Sequence, residues 1–323
     1  MSILFSAVGR DVHVDVPLSN IAINHRPAGF IADMVFPVVP VQKQSDRIVV
    51  FSREEAYREE EARRAPGTQA NLITRKVSSE TYFADNYALK YGVTIEDRNN
   101  ADPIYAQELY NGAARYVTGK LLLGWEIRVA SQLTNTANVG SSSAVASGWT
   151  DHTNSTPLAD VESAIDNVFD ATAMRPNRVV FGETAWRNFR RNATVRNLLG
   201  RGDNQVGGGY ASLQEAADLL DVEQVLLGAS HKNTGVEGQA EALVQVWGDN
   251  VAVYYAPMTA SVDEPSFGYS MRWRIPGVPD MQAERHPYDS KTKSEEVEVG
   301  YYQDEKVVGK DYSYLLVAVN SST

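Results

Sequence analysis

Asp102 to Leu133 reads DPIYAQELYNGAARYVTGKLLLGWEIRVASQL, and the reading of this stretch decides the fold class. Asp102 stands as a cap before Pro103, whose fixed φ and missing N–H suit the first helical position. Leu109, Ala113, Val117, Leu121 and Trp125 then track one face, with no breaker before Leu133. At 1.5 Å per residue the spacing predicts a helix of roughly 45 Å, unusually long for a globular protein.

Immediately upstream, Tyr87, Leu89, Tyr91, Val93 and Ile95 alternate with Ala88, Lys90, Gly92, Thr94 and Glu96. A period of two predicts a half-buried strand. Further back, Arg47 to Phe51 is a short β-branched run followed by Arg53 to Arg64, in which five acids and four bases alternate in blocks. This pattern predicts a hairpin-like excursion whose charges form either a solvated face or a strip against a neighbouring molecule. Residues 1 to 40 carry apolar residues such as Val12, Val14 and Val16 without helical period, and end in Phe36, Pro37, Val38, Val39, Pro40. The prolines imply an extended arm that must rest on something else.

Downstream, Asn135 to Thr156 is rich in Ser, Thr, Asn and Gly and reads as a linker. After it, helices are expected at Pro157–Ala173, Glu183–Arg191 and Leu213–Leu220, with strands at Arg178–Phe181, Gln224–Leu227, Ala242–Trp247 and Val251–Tyr255. Together they form an α/β unit. From Phe267 the pattern turns to strands, with Phe267, Tyr269, Met271, Trp273 and Ile275 on one face; Glu296–Tyr301 and Tyr312–Val319 continue it.

Composition narrows the function. A chain of 323 residues with 43% hydrophobic and 22% charged residues can bury a real core. Absence of cysteine excludes disulfides, thiolate metal sites and a cysteine nucleophile. The net charge of -11 argues against a dedicated nucleic-acid binder while permitting one weakly basic face. No basic-then-apolar leader and no membrane-length apolar run is seen, so folding in the cytoplasm of the producing cell is expected.

Catalytic patterns fail one by one. The histidines at 13, 25, 152, 231 and 286 are scattered without metal-ligand spacing. Gly202 and Gly207 have the outer spacing of a phosphate loop, but Gly208 and Gly209 stand where Lys and Ser or Thr are needed. No G-x-S-x-G elbow exists, and adjacent acids such as Glu54 and Glu55 or Glu295 and Glu296 point apart. Arg201-Gly202-Asp203 spells an integrin-ligand tripeptide, yet three residues recur by chance. No catalytic, cofactor or metal site is expected.

The order of parts resembles the tailed-bacteriophage major capsid proteins of the Hong Kong 97 type. Locally the likeness is carried by Phe30 to Val41 (FIADMVFPVVPV) and Pro176 to Arg190 (PNRVVFGETAWRNFR). The resemblance implies an α+β fold with an N-arm (1–41), an extended loop (42–79), a peripheral domain with a long spine helix (80–154), an α/β axial domain (155–260) and C-terminal strands returning to the peripheral domain (261–323). It also implies a subunit that is not an enzyme and self-associates into pentamers and hexamers of an icosahedral head around double-stranded DNA. The expected partners are a portal protein at one vertex, a separate scaffolding protein and a decoration protein, with no membrane. Expected inter-subunit contacts are Phe36, Val38, Val39, Arg47, Phe51, Arg53, Glu54, Arg58, Glu59, Glu60, Arg63 and Arg64. Rival readings are an encapsulin-type bacterial shell, which shares the fold, and a two-domain soluble enzyme or binding protein.

Overall fold

Asp15 accepts a hydrogen bond from the Leu18 amide at 3.1 Å, and with Pro17 in the first turn it starts helix α1 (Val16–Asn24). The structure is a computed structural model that describes residues 15–50, 59, 62–64, 66–70, 72–73, 78–102, 105–200, 209–236, 238–259, 264–275 and 277–321. A one-turn helix α2 (Ala32–Val35) and strand β1 (Val38–Val41) follow α1. The arm is therefore not extended throughout. Leu18 and Ala22, four apart, are buried on the long helix, and this tertiary surface overrides a weak local period. Val12 and Val14 lie outside the described residues.

Strands β2 (Ser45–Val50) and β3 (Ser78–Phe83) pair antiparallel, and β4 (Asp85–Thr94) continues from them. Thr94 then caps a short helix α3 (Ile95–Asn100). The long helix α4 runs Ala106–Leu133, 28 residues and about 42 Å. Asp102 lies one turn before it and accepts from the Tyr105 and Ala106 amides.

The next segment holds β5 (Ser141–Ala144), α5 (Pro157–Thr172), β6 (Arg178–Gly182), α6 (Glu183–Phe189), α7 (Ala193–Leu198), α8 (Leu213–Leu220) and β7 (Gln224–Gly228). Strands β8 (His231–Asn233), β9 (Leu243–Gln245), β10 (Val251–Tyr254), β11 (Gly268–Trp273), β12 (Gln282–Asp289), β13 (Ser294–Val307) and β14 (Ser313–Val317) complete the order.

Two sheets result. The first runs β1-β11-β13-β12, with β4 also on β13; the second runs β5-β14-β10-β6-β7. Helix α4 bridges both. Its first half buries Tyr110, Ala113, Val117 and Leu121 against Val297, Val299 and Tyr301 of the first sheet. Its second half buries Trp125, Val129 and Leu133 with Phe36, Val180, Tyr254, Phe267 and Leu315. The opposite face of the second sheet packs Phe181 against Trp149, Trp186 and Phe189, with Phe181 and Phe189 ring centroids 5.0 Å apart.

Several expectations need correction. The stretch read as a linker contributes β5, paired in parallel with β14, and the fully buried Trp149. The second sheet therefore draws Ser141–Ala144 and Ser313–Val317 from outside 155–260. The terminal strands divide, with β11 to β13 in the first sheet and β14 in the second. Strand β9 belongs to a separate hairpin with β8, not to the α/β sheet.

Phe36 and Val39, expected at a neighbour, are buried inside the protomer. Phe36 meets Phe267 edge-on at 5.5 Å, while Val39 joins Tyr269 and Met271. Parallel pairing of β1 with β11 draws the arm into its own core. Phe36→Ala is accordingly expected to destabilise the protomer by about 3–4 kcal/mol, read as a lowered denaturation midpoint under conditions where no particles form.

Candidate assembly interface

Among the described residues, the β2–β3 hairpin is fastened at its base. The Ala84 amide donates to Gln44 O at 2.8 Å, Phe83 N to Asp304 Oδ2 at 2.9 Å and the Tyr82 hydroxyl to Lys43 O at 3.1 Å. Ile48 and Tyr82 bury in a small cluster with Val39, Tyr269 and Met271. Beyond the base the described residues face solvent. Leu72 is 90% and Ile73 69% exposed, an unusual state for adjacent aliphatic side chains.

The hairpin leaves near Asp304, whereas β4 runs along β13 to pair Thr94 with Ser294 at the other end. Strand β13, 14 residues long, spans roughly 46 Å. Along the half of β13 away from Asp304, Leu89, Tyr91 and Tyr116 remain about half exposed, with Tyr91 and Tyr116 rings 5.7 Å apart. Among the described residues β4 pairs with β13 alone, so its outer edge is open to strand addition. Apolar side chains are thus exposed both on the excursion and on β4 and α4.

Glu126 fixes how the arm, the long helix and the second sheet meet. Its carboxylate is fully buried and accepts four donors: Ile31 N at 3.0 Å, Ala32 N at 2.8 Å, Trp247 Nε1 at 2.7 Å and Ser230 Oγ at 3.3 Å. Trp247 reaches it by lying on Gly228, where a Cβ would sit 2.3 Å from the indole. Burial pushes the Glu126 carboxyl above its ordinary value despite the four donors. Beside it is a cavity of about 340 Å³ under the arm, lined by Ile23, Phe30, Leu122 and Met281. Arg178 and the Tyr254 hydroxyl both donate to Met34 O, and Arg26 pairs with Asp33, so the arm is latched at several points.

Two ion networks stiffen the first sheet against α4. Arg128 donates to Glu305 at 2.9 and 3.0 Å and to the Tyr301 hydroxyl at 3.1 Å, and stacks 3.7 Å from the Tyr87 ring centroid. Burial opposes the Arg128 charge, but these hydrogen bonds outweigh it and its pKa is raised. Arg272 lies between Trp125 and Tyr301 at 5.1 and 5.0 Å and donates to Gln303.

Glu295 accepts from Arg285, Arg98 and the Tyr110 hydroxyl. Burial alone would raise its carboxyl, but these partners hold it below the ordinary 4.5. A depressed acid stabilises the fold fully above that value, and the contribution is lost as pH falls through the lowered one. Glu126, being raised, has the opposite sign and does not explain acid lability. Glu295→Gln is therefore expected to lower the urea midpoint at neutral pH, and to match the parent once the medium is acid enough to protonate Glu295 in both states. An equal deficit at both pH values would overturn the assignment.

Of the remaining expected contacts, Val38 is half-buried, while Arg47, Glu59, Arg63 and Arg64 are exposed on or beyond the hairpin. Phe51, Arg53, Glu54, Arg58 and Glu60 lie outside the described residues, as do Gly202 to Gly208. Sequence reasoning missed Glu126. The signal on offer was one acid among Leu122, Trp125, Val129 and Ala130, on the buried face of α4. Among the described residues no three of His, Asp and Glu group as a metal site, and no helix is long and apolar enough to cross a membrane.

Comparison with known proteins points one way. A family model for phage major capsid protein E matches residues 126–261. The chain is 26% identical over 267 residues to a major capsid protein of Pseudomonas phage JBD67, covering 80% of this chain and 83% of that one. It is 24% identical over 318 residues to a major capsid protein of Burkholderia phage BcepMu, covering 95% and 97%. A phage-related protein of Bordetella bronchiseptica RB50 superposes with a TM-score of 0.73 at 22% identity, covering 96% and 98%. The capsid of cyanophage P-SCSP1u gives 0.54 at 14% identity over 89% and 87%. An encapsulin complex from Synechococcus elongatus gives 0.51 at 12% identity over 93% and 91%, so fold alone does not separate the two kinds of shell. The relatives found by sequence lie on the phage side: the chain has the Hong Kong 97-type fold and is similar to phage major capsid proteins.

Proposed function

We propose that this subunit assembles into pentamers and hexamers of an icosahedral head around double-stranded DNA, and that it acts by association rather than catalysis. The observation that carries this reading is the pair of uncovered apolar surfaces, Leu72–Ile73 on the excursion and Leu89–Tyr91–Tyr116 on β4 and α4. In this reading copies of the same protomer cover these surfaces, and such head-to-tail contacts close into rings. The excursion of residues 42–79, with Arg47, Phe51, Arg53, Glu54, Arg58, Glu59, Glu60, Arg63 and Arg64, lies over a neighbour in this reading. Val38 is at its root. A separate scaffolding protein would guide closure, with a portal protein at one vertex, and the net charge of -11 leaves DNA contact weak and non-specific. A decoration protein on the outer surface is compatible with it.

Electron microscopy of the purified protein tests the reading. Closed shells are expected; a monodisperse single protomer at high concentration would end it. Particle content decides against the encapsulin reading: nuclease-protected double-stranded DNA in particles from infected cells supports a phage head, and a protein cargo without DNA sinks it.

A further inference from the structure

Charge is segregated over the second sheet. Between Arg128 and Arg175 the chain has no Lys or Arg, whereas between Glu183 and Asp203 it has five arginines and no Asp or Glu. The first segment includes α5, on which Glu162, Asp166 and Asp170 recur every four residues and therefore form one stripe about 12 Å long. All three are exposed, and none takes part in an ion pair among the described residues. Like charges at this spacing repel along the helix, a local cost that nothing in α5 offsets. Phe169, 49% exposed, sits beside the stripe.

The second segment includes α6 and the turn after it. Arg187 is exposed and only loosely paired with Glu183 at 3.5 Å. Arg190 and Arg191 hold their guanidinium groups 5.0 and 6.0 Å from the exposed Tyr210 ring. Helix α5 packs over β14 and β10, and α6 over β6 and β7, so acidic stripe and basic corner occupy different halves of one layer.

We propose that the Glu162–Asp166–Asp170 stripe of one copy docks on the Arg187–Arg190–Arg191 corner of a second copy, a head-to-tail contact between the units that carry the second sheet. The proposal rests on the shell reading and specifies one surface of it. Two different patches of the same protomer make the contact heterologous, so repetition generates a ring rather than a closed pair. Charges so placed also set which edge meets which, since a copy presented backwards would oppose like to like.

Charge reversal in the full-length chain tests the proposal. Glu162→Lys/Asp166→Lys/Asp170→Lys and Arg187→Glu/Arg190→Glu/Arg191→Glu are each expected to cut the yield of sedimenting particles more than about tenfold while circular dichroism and melting stay near the parent. Combining all six substitutions in one chain restores the yield. Should a triple variant misfold, Asp166→Asn, Arg190→Gln and their combination replace it, with the same order of yields expected on a smaller scale. Normal particles from either triple variant overturn the proposal, as does failure of the six-fold variant to recover when each parent triple is folded. Intact shells that lose only their nuclease-protected DNA on arginine reversal also overturn it, and assign the corner to nucleic acid. A parent chain that forms no shells at all would instead sink the shell reading itself.

Discussion

Removing Asp46–Thr68 is expected to leave a folded protomer that no longer forms stable shells. Among the described residues, neither of the two large sheets draws a strand from this segment. Within the protomer the deletion chiefly strips Ile48 from its packing on Val39, Tyr269 and Met271, worth about 1–2 kcal/mol. The first sheet keeps β1, β4, β11, β12 and β13, and the second keeps all its strands. What disappears is the segment proposed to lie over a neighbour. Near-parental melting together with an absence of particles by electron microscopy is the expected pair of results, and normal particles would refute the role of the excursion.

The second large effect is expected at Glu126. Truncation to alanine removes the acceptor for two backbone amides, an indole N–H and a hydroxyl, all in a place water does not reach. An unsatisfied buried donor costs about 1–3 kcal/mol. With partial relaxation into the cavity beside it, a total loss of about 3 kcal/mol is expected. The loss should be uneven in space, because the two amides belong to the arm. Chymotrypsin should cut after Phe30 many times faster in Glu126→Ala than in the parent. Trp247→Phe removes one donor, leaves the carboxylate its other three, and should cost only about 1 kcal/mol without exposing the arm. If both variants lose the same stability and protect Phe30 equally, Glu126 is not what holds the arm.

How much of the fold is legible in the sequence depends on how local each cause is. The long helix and β4 carry their own periods in adjacent residues, so both are visible without a structure. Strand β5 is Ser141–Ala144, four small residues with no apolar alternation. Its pairing comes from Leu315 and its neighbours, about 170 positions away, and no window along the chain contains that information. Helix α1 escapes for a related reason: its period is faint, and α4 supplies the surface that makes it helical. Phe36 needs cover, as its setting in the sequence implies, but the cover is Phe267 of the same chain. The charged run Arg53 to Arg64 is the easier case, since charge in blocks without an apolar stripe offers nothing to a core, and its described residues are exposed. Glu126 is hidden in plain view, because an acid on a helix reads as solvated until something buries it.

The position of β14 between β10 and β5 bears on how the protein is made. Strand β10 finds β6 early, but its other edge and the whole of β5 wait for Ser313–Val317, which a ribosome delivers after every other strand of both sheets. A polypeptide released early therefore lacks the middle of its sheet and not merely a fringe. Translation products cut short before this strand should be degraded rather than built into a head, a quality check on a structure that cannot replace a faulty tile once closed.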